Sequence, residues 1–218
     1  MRGVRLSPRA NHLKVAGLVR VIQSHSLLDA WKQAVRTILA EGRAGTDDGQ
    51  PIMEFLDLYL ETRDPAPESM IAEVDPQMAA WMHVNFTEKK PVPELGNAKS
   101  YATRLYDYYG KDQVATVVEK LRAKPETKSA TITTLMPNDD TNYIPCVSLL
   151  DFKVRDGTLV LTATCRSLDF GKKALHNLAE LAAIGREVQA ATKVPRLALH
   201  VHAISAHVYQ KDVDSLSL

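Results

Sequence analysis

The run from Asn142 to Asn177, NYIPCVSLLDFKVRDGTLVLTATCRSLDFGKKALHN, constrains the fold more than any other stretch. Arg155-Asp156-Gly157 near its middle reads as a hairpin turn, because Asp-Gly tolerates the positive φ angles that tight hairpins require. Cys146 follows Pro145 and opens one strand, and Cys165-Arg166-Ser167 closes the next. The turn therefore brings the Cys146 end and the Arg166 end together. A neighbouring cation favours the thiolate, the nucleophilic form of cysteine, so a thiol beside a guanidinium points to chemistry. Both cysteines of the chain lie in this run, which argues against a disulfide framework and fits a reducing compartment.

The rest of the chain supplies helices and further strands. Residues 1–12 read as a loose basic lead-in, and Val15 to Gln23 as an edge strand. Ser26-Leu27-Leu28-Asp29 resembles a capping box with Ser26 as N-cap. The helix that follows puts Leu27, Leu28, Trp31, Ala34, Val35, Ile38 and Leu39 on one face and ends at Gly42. Glu41 to Pro51 reads as a turn-rich loop and Ile52 to Glu61 as a strand. Met70 to Phe86 is helical but interrupted at Pro76, and Lys89 to Asn97 is a loop. Asp112 to Lys124 is an amphipathic helix with Val114, Val117, Val118 and Leu121 on its apolar face. Ala130 to Leu135 is a strand of β-branched residues. Leu175 to Thr192 is a helix with Leu178, Leu181, Ile184 and Val188 inward, and Leu197 to Tyr209 is a long strand with a bulge. This pattern predicts an α+β fold of two layers, one sheet with helices packed on one side. At 218 residues it predicts one domain with a sizeable core. The net charge of +1 implies no general attraction to nucleic acid or membrane. The N-terminal stretch has no apolar run of signal-peptide or membrane-spanning length, so the expected location is the cytoplasm.

Four motifs then fall in order: Pro145-Cys146, Arg166-Ser167-Leu168-Asp169, Asn177 and His207-Val208-Tyr209. Taken alone each has a plain reading: a buried thiol, a surface ion pair, a helix cap, an exposed amide. In this order and spacing, the stretch from Tyr101 to Tyr209 resembles the thymidylate synthase family, which includes the pyrimidine nucleotide hydroxymethylases. Its length and first helix look like the compact archaeal members. The resemblance implies the family's mixed sheet and a homodimer formed through it. It implies one-carbon transfer to C5 of a pyrimidine nucleotide, with 5,10-methylenetetrahydrofolate or a related reduced pterin as cofactor. Hydroxymethylation of a nucleotide such as CMP, dCMP or dUMP, for modified-nucleotide or natural-product synthesis, is the close alternative. A nucleotide-binding member without catalysis is a further one.

Residue by residue, the resemblance makes Cys146 the nucleophile at C6. Arg166 would touch both the phosphate and Cys146, and Ser167 would donate to the phosphate. Asp169 would orient ring, water or folate. Asn177 would read the ring edge. Its carboxamide accepts from N3–H and donates to O4, which a carboxylate cannot do, so a uracil ring is implied (dUMP or UMP). His207 and Tyr209 share one strand face and would reach the sugar hydroxyl. Tyr101 would be an active-site tyrosine with Arg104 as companion. Cys165 stands where the family usually has glutamine and reads as core. His200 and His202 extend the His207 row, but without a carboxylate or cysteine at ligand spacing the row implies no metal.

The chain also departs from the pattern. Where the family places two adjacent arginines that reach across the dimer to the partner's phosphate, this chain has Lys128-Ser129. Lysine offers a point charge in place of a bidentate fork, and Arg43 is a candidate replacement cation. Val147 stands where histidine is usual, and Lys172-Lys173 occupies the turn near the folate ring. Glu68, Glu73 and Gln77 are the candidates for the family's catalytic glutamate. The sequence runs nine residues past Tyr209, to Leu218, where longer members carry a tail that closes over the folate. That implies a more open site, a different pterin or a non-methylating outcome.

Overall fold

The computed structural model describes residues 19–65, 69–141 and 143–216. The lead-in 1–12, the start of the expected edge strand at 15–18, Glu68 and Asn142 lie outside them. In chain order the elements are β1 (Arg20–Ser24), α1 (Leu27–Glu41), β2 (Arg43–Asp47), β3 (Gln50–Arg63), α2 (Ser69–Val74) and α3 (Pro76–Thr87). Then come β4 (Pro91–Val92), β5 (Ala98–Lys99), α4 (Tyr101–Tyr106), α5 (Gln113–Ala123) and β6 (Thr131–Thr133). The chain continues through β7 (Val147–Arg155), β8 (Thr158–Cys165), β9 (Leu168–Asp169), α6 (Ala174–Thr192) and β10 (Arg196–Tyr209).

One mixed sheet runs β1-β3-β10-β8-β7-β6, with β2 paired to β3 and β9 to β10. Strand β10 is antiparallel to β3 and parallel to β8 and β9. The expected hairpin is β7–β8, turning on Asp156 and Gly157 at φ 48° and 71°. Residues 41–51 correct the sequence reading: much of the expected loop is a hairpin, β2 and the start of β3, paired antiparallel. Its turn is Asp48-Gly49, at φ 46° and 75°, the same two-residue device used a second time.

Strand alternation decides what is buried. Leu159, Leu161, Ala163 and Cys165 of β8 and Leu58, Leu60 and Thr62 of β3 point into the core. So do Leu197, Leu199, Val201 and Ala203 of β10, where α1 and α6 cover the sheet. On α1, Leu27, Trp31, Ala34, Val35 and Ile38 are buried, and Ser26 Oγ caps the helix by accepting from the Asp29 N–H at 3.1 Å. Gly42 ends α1 in extended backbone. Glycine is needed there because a Cβ would lie 2.3 Å from the Ile38 carbonyl oxygen. Helix α3 begins where proline suits a first turn. Pro76 follows Asp75, whose Oδ1 accepts from the Met78 N–H at 3.0 Å.

Near its middle the β3–β10 pair changes phase. Ala203 pairs with Leu58 and Ser205 with Leu56, skipping Ile204 and Asp57, and Asp57 has φ 57°. Upstream the odd residues of β10 are buried; downstream Ala206 and Val208 are. The register is the same on both sides of the gap and one residue is skipped on each strand, so a symmetric kink stands where the sequence predicts a bulge. It leaves His200 and His202 on one stretch of the outward face and Ser205, His207 and Tyr209 on the next. His202 stacks on Tyr59, ring centroids 4.0 Å apart, and its Nε2 lies 2.9 Å from Asp57 Oδ1.

Candidate active site

The β7–β8 ends meet as the turn requires. Val147 is the register partner of Cys165, and the Arg166 N–H donates to the Cys146 carbonyl at 2.9 Å. Cys165 is fully buried, and burial pushes its thiol pKa up, as expected of a core residue. Cys146 is only partly buried. Ser167 Oγ lies 3.7 Å from its sulfur and is itself 3.2 Å from Arg166 Nη1. The guanidinium therefore meets the thiol through Ser167 and not by direct contact. The reason is local: Arg166 Nε and Nη2 both donate to the Ile144 carbonyl, at 3.1 and 2.7 Å. Tyr143 also neighbours the Cys146 side chain, and burial, then the nearby thiol, pushes its phenol well above the ordinary value.

A buried scaffold holds the cysteine's neighbour. The Val147 N–H donates to Tyr101 Oη at 2.9 Å, and its carbonyl accepts from Thr134 Oγ1. Tyr101, stacked on Phe86 at 4.4 Å, is thus buried behind Cys146 and fixes backbone. Arg104 is likewise no cleft residue. Its Nη1 and Nη2 reach the Asp140 carboxylate at 3.0 and 2.6 Å, and it donates to the carbonyls of Thr134 and Lys99 at 2.7 and 3.0 Å. The side chains of this pair are 1% and 6% exposed. Breaking any of these links would leave a buried polar group without its partner, which is costly.

Cys146, Arg166, Ser167, Asp169, Asn177, His207 and Tyr209 line one cleft of about 700 Å³. Asn177, in the first turn of α6, donates from Nδ2 to Met82 Sδ at 3.3 Å. Asp169 is not a helix cap: it lies in β9, its Oδ1 accepts from the Gly171 N–H at 3.0 Å, and α6 starts after Lys173. Burial raises the Asp169 pKa, and His207 opposes this in part. Trp31 Nε1 donates to the Phe170 carbonyl at 2.9 Å, tying this turn to α1. His207 and Tyr209 pack edge to face at 5.3 Å, and Tyr209 Oη donates to Asp47.

Two expected phosphate cations are not among the cleft's lining residues. Lys128 stands exposed in the turn between α5 and β6 and is not among the cleft's lining residues. Arg43 opens β2, whose Gly45 and Thr46 line the cleft. Glu73 is exposed on α2 and, like Gln77, does not line the cleft. Sequence reading missed Glu54, Asp47, Tyr143 and Ser205, all lining it. Alternation along β3 and the Asp48-Gly49 turn were the signals for the first two.

Next to the cleft, and sharing Lys173 with it, lies a hollow of about 370 Å³ lined by Met78, Trp81, Leu95 and Lys172 among others. Lys173 Nζ sits 5.5 Å above the Trp81 ring. Among the described residues, no group of His, Cys, Asp or Glu is placed to hold a metal ion, and no helix is long and apolar enough to cross a membrane.

Comparisons with known proteins agree with one another. The family model described as "Thymidylate synthase" matches residues 70–218. Three archaeal proteins named "Putative thymidylate synthase" are similar along most of their length. The one from Methanosarcina barkeri (strain Fusaro) is 33% identical over 204 residues, covering 89% of this chain and 92% of its own. That from Methanococcoides burtonii is 32% identical over 210 residues, 92% and 94% of the two chains. That from Methanopyrus kandleri is 29% identical over 200 residues, 90% and 96%. With its matched region spanning the β7–β8 hairpin, α6 and β10, the chain belongs to the thymidylate synthase family.

Proposed function

We propose that this chain transfers a one-carbon unit to C5 of a pyrimidine nucleotide, with a uracil ring, by covalent catalysis through Cys146. The observation that carries the reading is the convergence of Cys146, Arg166, Ser167, Asp169, Asn177, His207 and Tyr209 on one cleft. Cys146 as thiolate adds to C6. The electron pair of the C5–C6 double bond moves toward C5 and O4, making C5 a carbon nucleophile. Asn177 accepts from N3–H and donates to O4, where that charge collects. Arg166 and Ser167 hold the phosphate and steady the thiolate. When C5 has gained its substituent and lost its proton, the C6–S bond breaks and the thiolate returns. His207 and Tyr209 take the sugar.

The hollow beside the cleft suits a reduced folate or related pterin. Trp81 offers a flat apolar face, Met78 and Leu95 offer apolar contact, and Lys172 and Lys173 suit an anionic tail. When bound, that group supplies the one-carbon unit and, for methylation, the hydride. Asp169, its carboxyl pKa raised by burial, is able to hold a proton or a water between ring and cofactor. Methylation and hydroxymethylation part at the exocyclic methylene, which hydride turns to methyl and water to hydroxymethyl. The polar wall of Asp47, Asp48 and Glu54 favours keeping water in the cleft and so supports the hydroxymethylating reading. The single-domain enzyme would act in the cytoplasm as a homodimer. The outward sheet face, with exposed Leu56 and Ile204 beside Tyr59 and His202, would form the contact, and Lys128 would serve the partner's phosphate.

The test is tritium release from C5 of UMP, dUMP, CMP and dCMP with a reduced folate present. Release is expected from the uracil nucleotides and should fall by about four orders of magnitude or more in Cys146→Ala. Absence of release with nucleotide binding intact would instead mark a binding protein without catalysis. Release from cytosine nucleotides alone would overturn the role of Asn177. The product's mass separates methyl from hydroxymethyl.

A further inference from the structure

Four polar residues stand side by side across four strands. Glu54 of β3 is the register partner of Arg43 on β2 and of His207 on β10, and His207 is in turn the partner of Asp169 on β9. Register partners on neighbouring strands point to the same face with Cβ atoms about 5 Å apart. The row therefore places the Glu54 carboxylate next to His207, along the wall assigned to the sugar. Ser205, two residues before His207, donates its hydroxyl to Glu54 Oε1 at 2.5 Å. Among the described residues no group donates to Oε2. Tyr209, two residues after His207 and also lining the cleft, gives its own proton to Asp47, which leaves its oxygen able only to accept.

We propose that Glu54 is a specificity residue that accepts a hydrogen bond from a sugar 2′-hydroxyl, so that the cleft takes a ribonucleotide in preference to a deoxyribonucleotide. The inference rests on the nucleotide reading of the cleft given above. An ionised carboxylate only accepts, and it has room for several donors. With Ser205 on one oxygen, the other is matched to a hydroxyl beside the one that His207 and Tyr209 meet. Acidic side chains read ribose 2′-hydroxyls in this way at dinucleotide sites. A deoxyribose would set an apolar CH₂ against the carboxylate and leave it short of a donor on desolvation, which is the costly case.

The experiment is calorimetric titration of the intact protein with UMP, dUMP, CMP and dCMP, repeated for Glu54→Ala and Glu54→Gln, with circular dichroism to confirm folding. Expected is about ten- to a hundredfold tighter binding of the ribo member of each pair, the range for hydrogen bonds to a charged group. Glu54→Ala should bring that ratio near one by weakening the ribonucleotide alone, and Glu54→Gln, which keeps the shape and one acceptor, should fall between. Equal binding of ribo and deoxy forms, or a ratio that survives in Glu54→Ala, overturns the sugar assignment while leaving the nucleotide cleft standing. Failure of every nucleotide to bind overturns the nucleotide reading and the sugar assignment with it.

Discussion

Two arginines set two regions of this molecule apart. Arg104 is sealed under the hairpin, with Asp140 and two carbonyls meeting its guanidinium. Arg166 lies exposed at the mouth of the cleft, tethered by one carbonyl and touching the thiol's hydroxyl neighbour. In sequence both looked like site residues. In the structure the first shapes backbone and the second faces solvent where an anion can reach it. The difference teaches that burial decides whether a charge is spent on the fold or left for a ligand. The two regions are nonetheless joined, since the Arg104-bound Thr134 also grips Val147, beside Cys146.

The largest effect should come from opening the sealed region. Arg104→Leu strands Asp140 without its partner and should cost about 3–5 kcal/mol of stability, read as a drop in urea midpoint. Arg166→Leu should do the reverse. Nucleotide affinity should weaken about ten- to a hundredfold, while the urea midpoint moves by no more than about 0.5 kcal/mol in free-energy terms. If Arg166→Leu unfolds the protein instead, the contrast between the regions fails. Tyr101→Phe tests the joint. It leaves the buried Val147 N–H without an acceptor, at about 1–3 kcal/mol, and should lower C5 tritium release as Cys146 loosens.

The smallest effect is one of pH. Burial raises the Asp169 carboxyl above its unfolded value, with His207 opposing in part. Between the unfolded and folded pKa the native state holds a proton that the unfolded chain has released. This group's contribution to stability therefore falls as pH rises through that window. Asp169→Asn has no such group. Its stability relative to the parent should rise from acid toward neutral pH in parallel urea melts, while C5 release is lost. A relative stability that stays flat with pH would remove the burial account.

Most of the fold was legible because its signals are local. The Asp156-Gly157 turn, the Ser26 cap and the Pro76 interruption each act within a few residues. The same reasoning missed β2, although Asp48-Gly49 is the same turn, because exposed Arg43 to Asp47 carry no apolar pattern to flag a strand. In the site, the residues of the β7–β8 hairpin and of His207-Val208-Tyr209 were readable from order and spacing. Glu54 and Tyr143 were not, because what puts Glu54 beside His207 is a pairing across more than a hundred and fifty residues of chain. No spacing along the sequence encodes that. The burial and backbone contacts of Arg104 and Tyr101 were not legible for a related reason: a motif says which residues recur, and only packing says which way they face.

The phase change at Ile204 and Asp57 has one more consequence. Beyond it, each cleft residue alternates with a core residue: Glu54 with Phe55, His207 with Ala206, Asp169 with Leu168. A slip of β10 by one residue would drive His207 into the interior and push Ala206 and Val208 into water. The cleft thus has no private means of keeping its shape. Its accuracy is borrowed from hydrophobic neighbours outside its lining, and drift in Phe55 or Ala206 would surface first as blurred substrate choice, before any loss of fold.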